Sequence, residues 1–320
     1  MDIDEQKPIN KSSLSEFLLL EFSEVWEIKL LYFGALLIVY LTTAAGNILI
    51  IAGIISDYHL HTPMYFFLMN LAIQDVGQVS VIFPKSMANS LMNTRSISYC
   101  GCVAQVFFYT FFVASDFSLL TVMAYDRYVA ICNPLQYEVV MNRQACLQML
   151  TAVVVINLFY GVLHTGGTFA PSFCSNVVNQ FFCELPHLLK LVCSDLYLVE
   201  VGAIFLSAMV LFGCFIFIIV TYVHIFTTVM RMPSIQTRQK AFSTCLPHLT
   251  VCSIFVVTGL LAYLKPTSNS PTDPDLALAM IYSIVPPLIN PVIYSMRNKE
   301  IKNAVRTLLS LSPSSKSLIK

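Results

Sequence analysis

The chain has 320 residues, 57% of them hydrophobic and 11% charged, with no formal net charge and a mean hydropathy of +0.73. A soluble domain carries about a quarter charged residues, so this composition excludes an ordinary water-soluble protein, and no nucleic-acid partner is expected. The apolar residues come in long blocks, and a membrane-spanning helix needs roughly 20 of them in a row.

Residues 1–28 form a polar, acidic tail. They lack the basic start and apolar core of a cleavable signal, so the first apolar block is expected to act as its own insertion signal. Asn10-Lys11-Ser12 is a glycosylation sequon. Seven spans follow, near Lys29–Ile55, Thr62–Met87, Cys100–Ile131, Cys146–Thr165, Leu198–Val229, Lys240–Leu264 and Asp275–Ser295. Polar residues interrupt the second (Asn70, Gln74, Asp75, Gln78) and the third (Gln105, Ser115, Asp116). The helical reading holds there, because lipid leaves no water for an unpaired backbone amide. The alternating pattern of a barrel strand is absent. The expected fold class is thus an all-α membrane protein, a seven-transmembrane helix bundle over residues 29–297.

Between the fourth and fifth spans, residues 166–197 hold Cys174, Cys183 and Cys193 with Pro171 and Pro186. A loop this long is usually functional or disordered, and three cysteines favour an ordered, stapled one. A short basic stretch, Arg231 to Lys240, joins the fifth and sixth spans. Residues 298–320 form the other tail. Within it Ile301, Ala304, Val305, Leu308 and Leu309 lie on one helical face and Lys299, Lys302 and Arg306 on the other. That spacing is an amphipathic eighth helix on the inner membrane surface. Charge sets the orientation. Residues 1–29 have three lysines against seven acidic residues, whereas residues 297–320 have six basic residues against Glu300. Basic residues favour the cytoplasm, so the N-terminus lies outside and the C-terminus inside, as an odd number of spans requires. Disulfides are then permitted on the outer side only.

Four groups of residues carry chemistry. Asp126-Arg127-Tyr128 ends the third span, where an acid–base pair is costly unless paired or interfacial. Asp126 neutralising Arg127 at rest and releasing it to a partner is one reading; a snorkelling interfacial arginine is the plain one. Pro286-Pro287 and Asn290-Pro291, followed by Tyr294, put a kink and polar groups near the inner end of the seventh span, which suits a hinge. Asp75 and Asp116 are intramembrane carboxylates. With Asn47 and Asn290 they form either an oxygen site for sodium or a hydrogen-bonded polar core, and the residues leave both open. His59 and His61 have no third ligand nearby and are read as interfacial residues.

The stretches Gly46-Asn47, Leu60–Leu68 (LHTPMYFFL), Met123–Cys132 (MAYDRYVAIC), Lys240–Leu249 (KAFSTCLPHL) and Asn290–Asn298 (NPVIYSMRN) resemble, in order and spacing, those of odorant receptors of the tetrapod type (class II) within the rhodopsin-like G-protein-coupled receptors. The resemblance covers nearly the whole chain. It implies a chemosensory receptor, not an enzyme, at the plasma membrane of olfactory sensory neuron cilia. A small volatile odorant, a stimulatory olfactory-type G protein acting through cyclic AMP, arrestin and membrane lipid are the implied partners. Loop chemistry and the resemblance together imply disulfides Cys102–Cys183 and Cys174–Cys193; connectivity stays open in sequence alone, with Cys100 a competitor of Cys102. Cys132, Cys146, Cys214, Cys245 and Cys252 are expected to be free thiols. Cys183-Glu184-Leu185-Pro186-His187 resembles a metal-binding pattern of some relatives, which a disulfide at Cys183 would disable.

For coupling, the resemblance implies that Tyr222 and Tyr294 turn in to support Arg127 on activation, with Arg231, Arg238 and Lys240 at the rim of the G-protein cavity and Asn290 and Pro291 at the hinge. For the ligand, counting turns outward from Arg127 gives Tyr109, Thr110, Val113 and Ala114. The fifth span is expected to add Leu206, Ser207 and Val210, the sixth Val256, Gly259, Leu260 and Tyr263, and the seventh Met280 and Ser283. None of these is charged, so the expected ligand is neutral and largely hydrophobic. Val256 stands where the family has Tyr, which makes the floor more apolar. An intramembrane aspartyl protease would need a Gly-x-Gly-Asp stretch, and a transporter inverted repeats; neither is present.

Overall fold

A computed structural model describes residues 14–20, 25–92, 94–193, 197–264, 273–297 and 299–311. Asn10 lies outside the described residues. Seven long helices follow one another: α1 (Trp26–Ser56), α2 (Pro63–Met92), α3 (Tyr99–Cys132), α4 (Arg143–Phe169), α5 (Tyr197–Met230), α6 (Ile235–Leu264) and α7 (Asp273–Arg297). An eighth, α8 (Lys299–Leu311), closes the chain. The first five are each long and apolar enough to cross a membrane, and α6 and α7 carry shorter apolar stretches at Ala241–Val257 and Ser283–Ile293.

Each helix begins within a turn or two of its hydropathic block, because caps and polar end turns extend it. Ser98 accepts a hydrogen bond from Gly101 N (3.1 Å) at the start of α3, and Asn142 accepts one from Ala145 N (2.9 Å) at the start of α4. Both side chains serve a helix N-terminus whose first amides have no partner within the helix.

The polar residues of α2 and α3 have structural duties. Gln105 Oε1 accepts the Cys183 amide (2.8 Å), and its Nε2 donates to the Val81 carbonyl (2.9 Å). The outer loop is thereby tied to both helices. Cys102 is bonded to Cys183 and Cys174 to Cys193. Cys100, Cys132, Cys146, Cys214, Cys245 and Cys252 are free thiols.

One pair of strands was not anticipated from hydropathy. In the N-terminal tail, β1 (Glu16–Leu18) runs antiparallel to β2 (Ser96–Ser98), with Phe17 opposite Ile97. On its other side Leu18 N donates to Asn176 O and Leu18 O accepts from Val178 N, both at 2.8 Å. The tail is therefore threaded between the start of α3 and the disulfide-stapled loop. Phe17 is fully buried against Phe169, Phe173 and Tyr99.

Inside, α8 lies against α1. Ile301 and Ala304 are buried, and a Cβ on Gly53 would sit 3.4 Å from Val305. Tyr65 of α2 donates to Glu300 (2.6 Å). The apolar face anticipated for this helix thus divides. Ile301 and Ala304 meet protein, while Leu309 is exposed.

Candidate functional site

The kinked α7 organises the centre of the bundle. Proline has no amide hydrogen, so each proline in a helix frees the carbonyl four residues earlier. Pro291 frees that of Pro287, and Asn47 Nδ2 on α1 donates to it at 3.1 Å. Pro287 frees that of Ser283, and Gln78 Nε2 on α2 donates to it at 3.1 Å. Gly46 admits the arrangement, since a Cβ there would stand 3.0 Å from the Pro291 ring. The motif Gly46-Asn47 and the motif Asn290-Pro291 are two halves of one joint.

Asn290 Nδ2 donates to both oxygens of Asp75, at 3.1 and 3.0 Å. Asp116 lies near enough to Asp75 for their charges to interact. Asn47 Oδ1, Ser115 Oγ, Asp116 Oδ1 and Asn290 Oδ1 are all buried without a hydrogen-bond partner. Unpaired buried oxygens are uncommon in native structures, and this set, with two carboxylates, is the donor chemistry of a hard cation.

At the inner end, Asp126 is buried and its Oδ1 accepts from Tyr137 Oη at 2.8 Å. Tyr137 lies in the turn after α3, outside the spans. Burial first, then the Asp126 charge, raises its hydroxyl well above the ordinary value, so it remains a donor. Arg127 acts on Asp126 through its field, but its Nε has no hydrogen-bond partner. Tyr222 of α5 is 2.7 Å from His248 Nδ1 of α6, and both are buried. His248 falls within the Lys240–Leu249 motif, but motif reading gave it no role of its own. Tyr128 packs its ring against His224 (6.2 Å). Arg238 Nε is buried without a partner. The side chains of Lys240 and Tyr294 lie outside the described residues.

In the outer half, Tyr109, Thr110, Val113 and Ala114 are half-buried on α3, and Tyr109 meets Phe182 of the outer loop (5.2 Å). Val256 and Gly259 of α6 and Met280 of α7 are also half-buried, and Ser283 is fully buried. A Cβ on Gly259 would meet no atom within 4 Å, so there is open space beside it. The side chains of Leu260 and Tyr263 lie outside the described residues. On α5 the inward stripe runs Glu200, Ser207, Cys214, Ile218, Tyr222, Ile225, Val229, spaced three, four or seven apart as one helix face requires. Leu206 and Val210 fall off that stripe and are 67% and 61% exposed, so the structure brings only Ser207 of the three to the interior. Among the described residues no three His, Cys, Asp or Glu side chains converge as metal ligands, and Cys183 has no thiolate to offer.

Residues 36–311 match the family profile described as olfactory receptor. Similar proteins include human olfactory receptor 14I1, 49% identical over 92% of this chain and 96% of its own length. Human olfactory receptor 14C36 is 48% identical over 94% and 96%. The crystal structure of squid rhodopsin shares the fold, with a TM-score of 0.68 over 92% of this chain and 90% of that one, at 16% identity.

Proposed function

The chain belongs to the class II olfactory receptors of the rhodopsin-like family, receptors and not enzymes, and from that premise we propose which ligand it takes and how it signals. The ligand is a small neutral, largely apolar volatile. It sits in the outer half of the bundle beneath the stapled loop, against Tyr109, Thr110, Val113, Ala114, Ser207, Val256, Gly259, Met280 and Ser283, with Leu260 and Tyr263 completing the wall. The observation that carries this reading is that the outer α3 residues Tyr109, Thr110, Val113 and Ala114 are uncharged and only half-buried; the open space at half-buried Gly259 of α6 supports it. Ligand sites in helix bundles lie between helices and are mostly apolar with few polar anchors. A charged ligand would meet no opposite charge there, at a cost of several kcal/mol.

Ligand binding is read out at the inner end. Outward movement of α6 separates His248 from Tyr222, and Tyr222 and Tyr294 then support Arg127 in a cavity rimmed by Arg231, Arg238 and Lys240. A helix of a stimulatory olfactory-type G protein enters that cavity and cyclic AMP rises; arrestin uses the same face. The receptor resides in the plasma membrane, N-terminus outside and glycosylated at Asn10, in olfactory cilia. Asp75, Asp116, Asn47 and Asn290 hold sodium in the resting state, and the unpaired oxygens support that reading. Raised sodium then opposes activation, because a ligand shifts an equilibrium only through differential affinity for its states.

The test is a cyclic AMP reporter screen of the surface-expressed receptor against a broad odorant panel. Neutral apolar odorants are the expected agonists, Gly259→Phe removes their responses, and Arg127→Ala abolishes signalling at matched surface expression. Agonists confined to carboxylates or amines would overturn the pocket. A wild-type response from Arg127→Ala would overturn the coupling role. Sodium dependence unchanged in Asp75→Asn/Asp116→Asn would remove the ion.

A further inference from the structure

Burial along α3 is interrupted in the outer half of the bundle. Thr110 stands about two turns outward of Phe117 and about five turns outward of Tyr128, so the three lie on one line of the helix. Phe117 packs its ring on Phe255 of α6 (5.3 Å) and Tyr128 on His224 of α5 (6.2 Å). That line therefore faces α5 and α6 rather than lipid. Val106, one turn outward of Thr110, is 1% exposed, and Phe117 is 5% exposed. Between them Thr110 and Val113 are only half-buried. On α6, Gly259 stands one turn outward of Phe255, and a Cβ there would meet no atom within 4 Å. The two helices thus part outward of the Phe117–Phe255 pair, and Thr110 borders the space between them.

Two hydroxyls come into question as polar anchors there, and their hydrogen bonds separate them. Ser207 of α5 donates to the Ala203 carbonyl (2.8 Å), meets His164 Nε2 (2.9 Å) and is hydrogen-bonded to the Tyr160 hydroxyl. A hydroxyl has one proton and two lone pairs, and these three partners use all of them. His164 is held in turn by Glu200 Oε1 (2.5 Å). Ser207 thus belongs to a closed network that fastens α5 to α4. Thr110 is the opposite case. Ser118 and Thr121, further along α3, donate to the carbonyls of Ala114 and Phe117, four residues back, at 2.9 and 3.0 Å. Thr110 makes no such bond to Val106, and among the described residues its hydroxyl has no hydrogen-bond partner. A hydroxyl in apolar surroundings calls for one.

We infer that the Thr110 hydroxyl, and not that of Ser207, donates the hydrogen bond that orients the odorant, so that the receptor favours neutral odorants with an oxygen acceptor, aldehydes, ketones, esters and ethers, over hydrocarbons of the same skeleton. No carbonyl of its own helix holds the Thr110 proton, so that proton goes to the ligand and the ligand supplies the lone pair. The inference rests on the proposal that the ligand lies in the outer half of the bundle against α3.

The experiment compares oxygenated odorants with hydrocarbons of the same carbon skeleton in the cyclic AMP reporter, with surface receptor quantified by an epitope tag. The oxygenated member of each pair should act at a concentration about tenfold lower, the ratio one hydrogen bond supplies. Thr110→Val keeps the branched shape and removes only the hydroxyl. It should weaken the oxygenated member about tenfold, the same single bond, and leave the hydrocarbon where it was. Thr110→Ser returns a hydroxyl and should return the ratio. Ser207→Ala loosens α5 from α4 but removes no bond to the ligand, so it should shift both members alike. A ratio that survives Thr110→Val, or one lost in Ser207→Ala, overturns the inference, as does an agonist set without oxygen acceptors. Gly259→Phe separates the two levels. If it silences both members while Thr110→Val leaves the ratio unmoved, the pocket stands and the anchor falls. If it changes nothing, the pocket itself falls, and the anchor with it.

Discussion

Single residues in this bundle are chosen by what faces them across a helix boundary. Gly46 is glycine because the Pro291 ring occupies the space a side chain would need. Asn47 is asparagine because the same proline leaves a carbonyl without a donor. Gly77 likewise yields its side-chain volume to the Phe112 ring. A buried acceptor stripped of its partner bears its desolvation cost, about 1–3 kcal/mol. Asn47→Ala should therefore lower the thermal midpoint of detergent-solubilised receptor and reduce its surface level, and Gln78→Leu should do the same through the Ser283 carbonyl. Wild-type thermal stability in both variants would show that these carbonyls find other donors.

At the scale of elements, two buried polar contacts stand out at the inner ends of α3, α5 and α6. Tyr137 from the turn after α3 holds Asp126, and His248 on α6 holds Tyr222 on α5. Each joins a motif residue to one outside its own motif, and the Tyr222–His248 contact, which spans α5 and α6, must break or rearrange for α6 to move outward. Tyr137→Phe keeps the ring and removes only the donor. It should raise ligand-independent cyclic AMP, whereas His248→Phe should loosen α6 from α5 and act in the same direction. Basal signalling unchanged in Tyr137→Phe at equal surface expression would mean that the Asp126 contact does not restrain the resting state. Helix α5 shows what periodicity alone misses. Apart from Glu200 and Ser207 its outer half is apolar on every side, so hydropathy gave no inward face that could reject Leu206 and Val210; the stripe through Tyr222 and Ile218 did.

On the scale of the whole molecule, the outer surface is a layered cover. The stapled loop lies over the bundle through Phe181 and Phe182, and β1 is laced beside it with Phe17 fully buried. Truncating a buried Phe to Ala costs about 3–5 kcal/mol. Phe17→Ala should thus sharply reduce surface receptor, and the survivors should be cut faster by protease in the loop between Cys174 and Cys193. Equal surface level and equal cleavage would mean that β1 merely rests on the cover.

What the sequence determined by itself is considerable. Hydropathy set the seven helices, because a span in lipid must be about 20 apolar residues long and satisfy its own backbone. The charge of the two tails gives the side of the membrane on which each is expected. Five ordered motifs set the family, and the apolar blocks around them marked Asp75, Asp116, Arg127 and Asn290 as residues too polar for their surroundings. Sequence could say only that such residues need partners. Which partners they have was decided by tertiary structure: Asn47 reaches a carbonyl 240 positions away, Tyr65 a carboxylate 235 away, and His164 an acid 36 away. The strand in the N-terminal tail was invisible for the same reason. Three residues of extended chain have no periodicity of their own, and β1 exists because β2 and the stapled loop supply hydrogen bonds on both its edges.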